Sequence, residues 1–294
     1  GVTASRMDFL CVGAAHWDII GHVEGTVRAG DDVPGRIEHR PGGVALNVAL
    51  GLAERECAVS LCSVIGDDEA GRSLLHHTEA AGVDCAHIIR IAGCATSHYL
   101  AIEDRDGNLI AAVADTALLD AWANGLSDRL RPAIQGTGSL FLDANLPATA
   151  ISELAELAMQ ASVEIVANPV SPAKAPRVQG LLSGRHYPTV IANLEEAKVI
   201  LQNDSRSSEE AAKGLRRAGA RAALVTDGPR AVALATENGD VSIAPEKLAN
   251  RFSVTGAGDA LLSAFLACPE RHSSPKIALE AALHAARDHM TMHR

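Results

Sequence analysis

Aromatic side chains are scarce: Phe, Tyr and Trp make up 3% of 294 residues. That is too few rings for a surface that reads its ligand by stacking, and it suits helices packed tightly on a sheet. Excess positive charge is missing too. A formal charge of −10 would repel a polyanion, which excludes nucleic acid as a partner. Cysteine pairing is absent: residues 11, 57, 62, 85, 94 and 268 form no C-x-x-C. They read as small buried thiols of a reducing compartment, not as zinc ligands. The histidines offer no metal set. His76 and His77 are adjacent and face different ways on a helix, and His284 and His289 have no acidic partner at metal spacing. There is no secretion signal and no apolar run of membrane length. The expectation is a cytoplasmic protein without a membrane partner. Gly1–Arg6 reads as a terminal tail or a cloning remnant.

What is present is apolar, at 47%, and rich in Ala, Leu, Val and Gly. The length allows one large α/β domain or two small ones. Short apolar runs at 9–13, 59–65, 139–143, 163–167, 189–192 and 222–226 predict strands with helical segments between them. Polar residues close several of these strands: Asp143, Asn168, Asn193, and Thr226-Asp227-Gly228. That series fits a doubly wound, mostly parallel sheet with its site along one edge. A second hairpin is expected around Asn238-Gly239. Residues 19–39 suggest short strands outside the main sheet. Residues 97–113 read as a β-hairpin whose charged turn contains Asp106-Gly107. Together they form a small sheet able to cover a substrate. No repeat or linker divides the chain, so 1–294 is read as one domain with a lid built from about 19–39 and 95–115.

The stretch that organises the rest is Val254-Thr255-Gly256-Ala257-Gly258-Asp259, followed by an Ala/Leu-rich helix. Glycines bring bare N–H groups close to a ligand, and the first helical turn favours phosphate. A carboxylate there is repelled by bound phosphate unless it has a task, such as taking a proton from an attacking hydroxyl. The alternative is a closing loop with Asp259 as a helix cap. A second glycine-to-helix junction, Gly42-Gly43, puts Asn47 in the first turns of an Ala/Leu/Val helix. Asp18 lies just past the first strand, placed either to hold hydroxyls or to cap a turn. Gly66-Asp67-Asp68-Glu69-Ala70-Gly71-Arg72-Ser73 has P-loop glycine spacing, but its three carboxylates would repel a phosphate. Gly256 and Gly258 lack the third glycine of a dinucleotide fingerprint, since Leu261 stands there.

Gly42-Gly43-x-x-x-Asn47, Gly66-Asp67-Asp68-x-x-Gly71, Asn193-x-x-Glu196, Thr226-x-Gly228 and Thr255-Gly256-Ala257-Gly258-Asp259 occur in that order. Together they resemble the ribokinase-like, or PfkB, family of carbohydrate and nucleoside kinases across nearly the whole chain. The resemblance implies a three-layer α/β fold with a β-sheet lid, and transfer of the γ-phosphate of ATP to a hydroxymethyl group. It implies Asp259 as base and the amides of Gly256, Ala257 and Gly258 as the anion hole. Asp18, Gly42, Gly43 and Asn47 would hold the acceptor; Asn193, Glu196, Thr226, Gly228 and Thr255 would serve the nucleotide. Glu196 would act indirectly on Mg2+. A monovalent cation such as K+ and a homodimer formed through the lid are further family expectations.

Within the family, residues 41–47 and 99–115 and the Asn168-Pro169-Val170-Ser171 segment with Lys174 are most similar to the pseudouridine kinases. Thr96, Ser97, Tyr99 and Asp115 would then contact base or sugar from the lid, while Lys174 reads as a solvated lysine. The chain departs from that pattern at four positions. Asn168 replaces an aspartate, Leu46 an arginine, Ser253 an Asp or Asn, and His16 an asparagine. A sugar kinase for ribose, fructose or a related sugar is the alternative acceptor reading. A non-catalytic nucleoside- or sugar-binding relative is the alternative of another class.

Overall fold

The computed structural model describes residues 6–244 and 257–292. In chain order, β1 (Met7–Val12) leads into β2 (His16–Val23) and β3 (Gly35–Gly42), then α1 (Val44–Glu54). Next come β4 (Val59–Cys62), β5 (Val64–Gly66), α2 (Glu69–Ala80), β6 (Ile89–Ile91), β7 (His98–Glu103) and β8 (Leu109–Asp115). The chain then alternates through α3 (Leu126–Gln135), β9 (Thr137–Asp143), α4 (Ala148–Gln160), β10 (Glu164–Asn168), β11 (Thr189–Asn193), α5 (Leu194–Leu201), α6 (Ser208–Ala218) and β12 (Ala222–Thr226). A hairpin, β13 (Val232–Thr236) and β14 (Gly239–Ile243), precedes α7 (Ala257–Ala267) and α8 (Pro275–Met292).

The main sheet has eight strands in the order β14-β13-β12-β11-β10-β9-β1-β4. It is parallel from β12 to β4 and antiparallel at the β12-β13-β14 edge. Side chains alternate between its faces, which divides the core in two. Leu10, Val12, Leu140 and Ile165 pack under α3, α4, α5 and α6. Phe9, Cys11, Phe141 and Val166 pack under α1, α7 and α8. This is the three-layer arrangement expected from strands that read as continuous apolar runs. The 59–65 run is not one strand. β4 joins the main sheet while β5 leaves it to pair with β6.

The lid is a separate four-stranded sheet, β3-β2-β7-β8. It stands on the C-terminal end of β1 because the chain runs from β1 into β2 after only three residues. The Trp17 indole N–H donates to the carbonyl of Ala70 at 2.8 Å and ties the lid to α2. In the β7-β8 turn, Gly107 has φ +83°, and Asp104 accepts from the amides of Asp106 and Asn108.

Candidate active site

The starts of α1 and α7 come together, with the side chains of Asn47 and Asp259 in contact. At the start of α1, Gly43 has φ +95°, and a Cβ there would lie 2.3 Å from the carbonyl of Ala14. Glycine is therefore required for α1 to start directly against the β1–β2 turn. Asp143, fully buried at the end of β9, accepts from the amides of Ala14 (3.0 Å), Ala45 (2.9 Å) and Asn145 (2.9 Å). It fixes the β1–β2 turn and the first turn of α1 as one unit. In the sequence Asp143 stands out only as the polar end of a strand, because two of its three amide partners lie 129 and 98 residues away.

Asn47, one turn into α1, donates from Nδ2 to Oδ2 of Asp259 at 3.0 Å. Asp259 lies in the first turn of α7, where helical N–H groups have no partners within the helix. One helical turn further along both helices, Gly51 faces Ser263: a Cβ on Gly51 would lie 2.2 Å from the Ser263 hydroxyl. The two helices run side by side at this distance because position 51 has no side chain. Burial raises the pKa of Asp259, the negative charge of Asp18 adds to that, and the Asn47 bond and the charge of Arg40 act against it. A carboxyl moved up in this way is a stronger proton acceptor than a surface aspartate.

Asp18, on β2, forms the other half. Its carboxylate fills the space that a side chain on Gly42 would occupy, 2.5 Å from an ideal Cβ there. His16 Nδ1 lies 2.9 Å from its Oδ1. Strand pairing puts Arg40 opposite Asp18 on one side and Tyr99 opposite it on the other. The half-buried Tyr99 thus shares a lid face with Asp18.

Two lid expectations need correction. Asp115 pairs with His98, whereas Ala114 pairs with Tyr99. Asp115 is therefore on the outer face, away from Asp18, because neighbouring residues of a strand point to opposite sides. Thr96 is fully buried. Its hydroxyl donates to Asp68 Oδ1 at 2.5 Å and accepts from the Gly66 amide, so it braces the cap of α2 and does not reach toward a ligand. Ser97 is likewise buried, at 1% exposure.

At the nucleotide-side edge, Asn193 and Thr226 are neighbours across β11 and β12. Asn193 and Glu196 form a capping box on α5: Asn193 Oδ1 accepts from the Glu196 amide at 2.8 Å and Glu196 Oε1 from the Asn193 amide at 2.9 Å. Glu196 is buried, which raises its pKa. Gly228, exposed, turns at φ +54°. Lys174 is not merely solvated. It is half-buried, its ammonium bonds Asn145 Oδ1 at 2.5 Å, and burial lowers its pKa. Asn168 supports the same loop by bonding the carbonyl of Ile191 and the amide of Val170. Leu46, where an arginine was expected, is in the core at 0% exposure. Gly258 lies exposed in the first turn of α7 and Ala257 begins that helix. Thr255, Gly256 and Ser253 lie outside the described residues. Among the described residues no three His, Cys, Asp or Glu side chains are grouped to hold a metal ion, and no helix is long and apolar enough to cross a membrane.

Asp259 in the first turn of α7 and Asp18 on the lid sheet act on each other electrostatically at one end of a three-layer α/β sheet, and the fold as a whole is ribokinase-like. The comparisons agree. The model of the pfkB family of carbohydrate kinases matches residues 7–288, and the chain belongs to that family, whose members are phosphotransferases with an alcohol group as acceptor. The chain is 34% identical over 189 residues to the uncharacterized sugar kinase YeiI of Escherichia coli, covering 64% of this chain and 51% of that protein. It is 28% identical over 260 residues to the pseudouridine kinase of E. coli, covering 87% and 82% respectively. The chain thus spans about half the length of the first relative and most of the second. A solved carbohydrate kinase from Agrobacterium tumefaciens superposes with a TM-score of 0.80 at 28% identity, covering 95% of this chain and 89% of that one.

Proposed function

We propose that the chain is an ATP-dependent kinase that phosphorylates the 5′-hydroxymethyl of a nucleoside, with pseudouridine as the preferred acceptor. The observation that carries the reading is the Asn47–Asp259 bond at 3.0 Å. It places a carboxyl of raised pKa between a helix N-terminus and the Asp18–Gly42 pocket. Asp18, Gly42, Gly43 and Asn47 orient the acceptor so that its hydroxymethyl faces Asp259. Asp259 takes the hydroxyl proton as the oxygen attacks. The first-turn amides of α7 hold the transferring group, so the reaction relies on alignment and charge neutralisation more than on covalent catalysis. Asn193, Glu196, Thr226 and Gly228 line the nucleotide end. Mg2+ supplies charge neutralisation on the phosphates when bound. Glu196 would act on it indirectly, since Glu196 Oε1 and Asn193 Oδ1 are both engaged in the α5 capping box.

The pseudouridine assignment rests on the lid and loop resemblance and on the 28% identity to the E. coli enzyme. A free-sugar acceptor is the second reading. It is favoured by the YeiI match and by Tyr99 being the one aromatic residue in the inner-face pairing around Asp18. The test is coupled ADP release with a panel of pseudouridine, uridine, adenosine, ribose and fructose. Turnover led by pseudouridine is expected. Turnover of ribose or fructose but not pseudouridine would overturn the nucleoside assignment and keep the kinase, and binding of acceptors with no turnover of any would overturn the kinase.

A further inference from the structure

On the inner lid face, Arg40 sits directly opposite Asp18 in the β2–β3 pairing. One end of its guanidinium is held by Glu38, with Nη1 donating to Oε1 at 3.3 Å. Its Nε is buried and makes no hydrogen bond. The side chain is one-quarter exposed, and its charge acts on Asp259. A guanidinium is planar, always charged and made only of donors. A buried N–H without a partner is costly, so it marks where an acceptor atom of a ligand belongs. Glu38 takes Nη1, so Nε is the donor left without a partner beside the Asp18 strand position. Nor does Leu46, in the core, bring a cation to the acceptor pocket.

Resting on the kinase reading above, we propose that Arg40 sets acceptor specificity. It donates to an oxygen of the acceptor, a base carbonyl or a carboxylate, on the part beyond the hydroxyls that Asp18 holds. Neutral polyols offer only hydroxyl oxygens there, which are weaker partners for a guanidinium N–H than a carbonyl or carboxylate. A pocket built to hydrogen-bond a group discriminates strongly against analogues without it.

The experiment compares wild type with Arg40→Met and Arg40→Lys on pseudouridine, on a 2-keto-3-deoxy sugar acid and on ribose. The readouts are kcat and KM from coupled ADP release, with calorimetric binding of the same acceptors. In Arg40→Met, the selectivity for an oxygen-bearing acceptor over ribose falls about 10–100-fold, as a charged hydrogen bond is worth, mainly through KM. Arg40→Lys, which keeps charge but not the fork, falls between. If pseudouridine carries the loss the partner is a carbonyl; if the sugar acid does, it is a carboxylate. An equal loss on all acceptors, chiefly in kcat, would overturn the proposal, because Arg40 would then be serving the transferring phosphoryl group. So would no change in the ratio. If wild type turns over nothing, the kinase reading fails, and the calorimetric ratio alone decides on Arg40.

Discussion

Asn47 and Asp259 are separated by 212 residues in the chain, yet their side chains meet at 3.0 Å. The bond joins α1, which begins at the Gly42-Gly43 junction, to α7, the helix of the proposed phosphoryl site. Replacing Asp259 with Asn keeps the size and removes the base. Turnover should fall by about 10²–10⁴-fold while acceptor binding survives. Steady-state kinetics together with calorimetry separate the two, and an Asp259→Asn protein with near-wild-type turnover would rule out a base at this position.

Asn47→Ala removes the hydrogen bond that holds down the pKa of Asp259, leaving only the charge of Arg40 against burial and the repulsion of Asp18. The base must be ionised to work. The acidic limb of the kcat/KM profile should therefore move to higher pH than in wild type. Asp18→Asn removes a like charge and should move it the other way in binding-corrected kcat. A pH–rate series on the variants checks both signs.

Gly51→Ala would force a methyl group to within 2.2 Å of the Ser263 hydroxyl and 2.6 Å of its Cβ. Overpacking of this kind costs about 1–3 kcal/mol. α1 and α7 should separate, lowering both the melting temperature and kcat. Adding Ser263→Gly should restore kcat while recovering stability only in part, since glycine inside a helix costs about 1 kcal/mol. A double variant that remains as impaired as Gly51→Ala would show that helix spacing is not the cause.

Far from the site, Glu164 at the start of β10 meets His272 and bonds Arg271 at 3.0 Å, tying the α7–α8 connection to the base of the sheet. Burial acts to raise its pKa. The His272 bond and the charge of Arg271 outweigh this and bring it from 4.5 to about 2. A carboxylate depressed in the folded state stabilises above its unfolded pKa, and that contribution disappears as pH falls from about 4.5 toward about 2. Glu164→Gln should cost about 3–5 kcal/mol at neutral pH by leaving its basic partners unmatched. The difference from wild type should vanish at the acid end of a urea-denaturation series.

The outer lid face exposes Ile37 at 73%, Leu100 at 44% and Val113 at 63%. All three share the side opposite Asp18. Such a patch is expected to be covered by a second copy of the lid. Leu100→Asp with Val113→Asp should convert a dimer to a monomer in sedimentation velocity. A wild-type monomer at micromolar concentration would refute lid-mediated pairing.

The sequence by itself determined the three-layer class, because apolar runs closed by polar residues leave little choice but a buried parallel sheet. It also supplied the proposed phosphoryl half of the site, from Asp259 at the start of an Ala/Leu-rich helix. The glycines ahead of Asn47 act locally, since Gly43 at φ +95° turns the chain into α1. Tertiary structure alone decided which side chains of the lid face the pocket. β7 and β8 pair through a shift between Ile102 and Glu103, and a one-residue change of register reverses every face. That parity turned Asp115 outward, and the separate β2–β3 pairing put Arg40 beside Asp18. Burial decided the rest: Thr96 was spent on the cap of α2, and Asp143 on holding two junctions together. No local pattern carries such information, since each depends on which distant backbone N–H lacks a partner once the layers have packed.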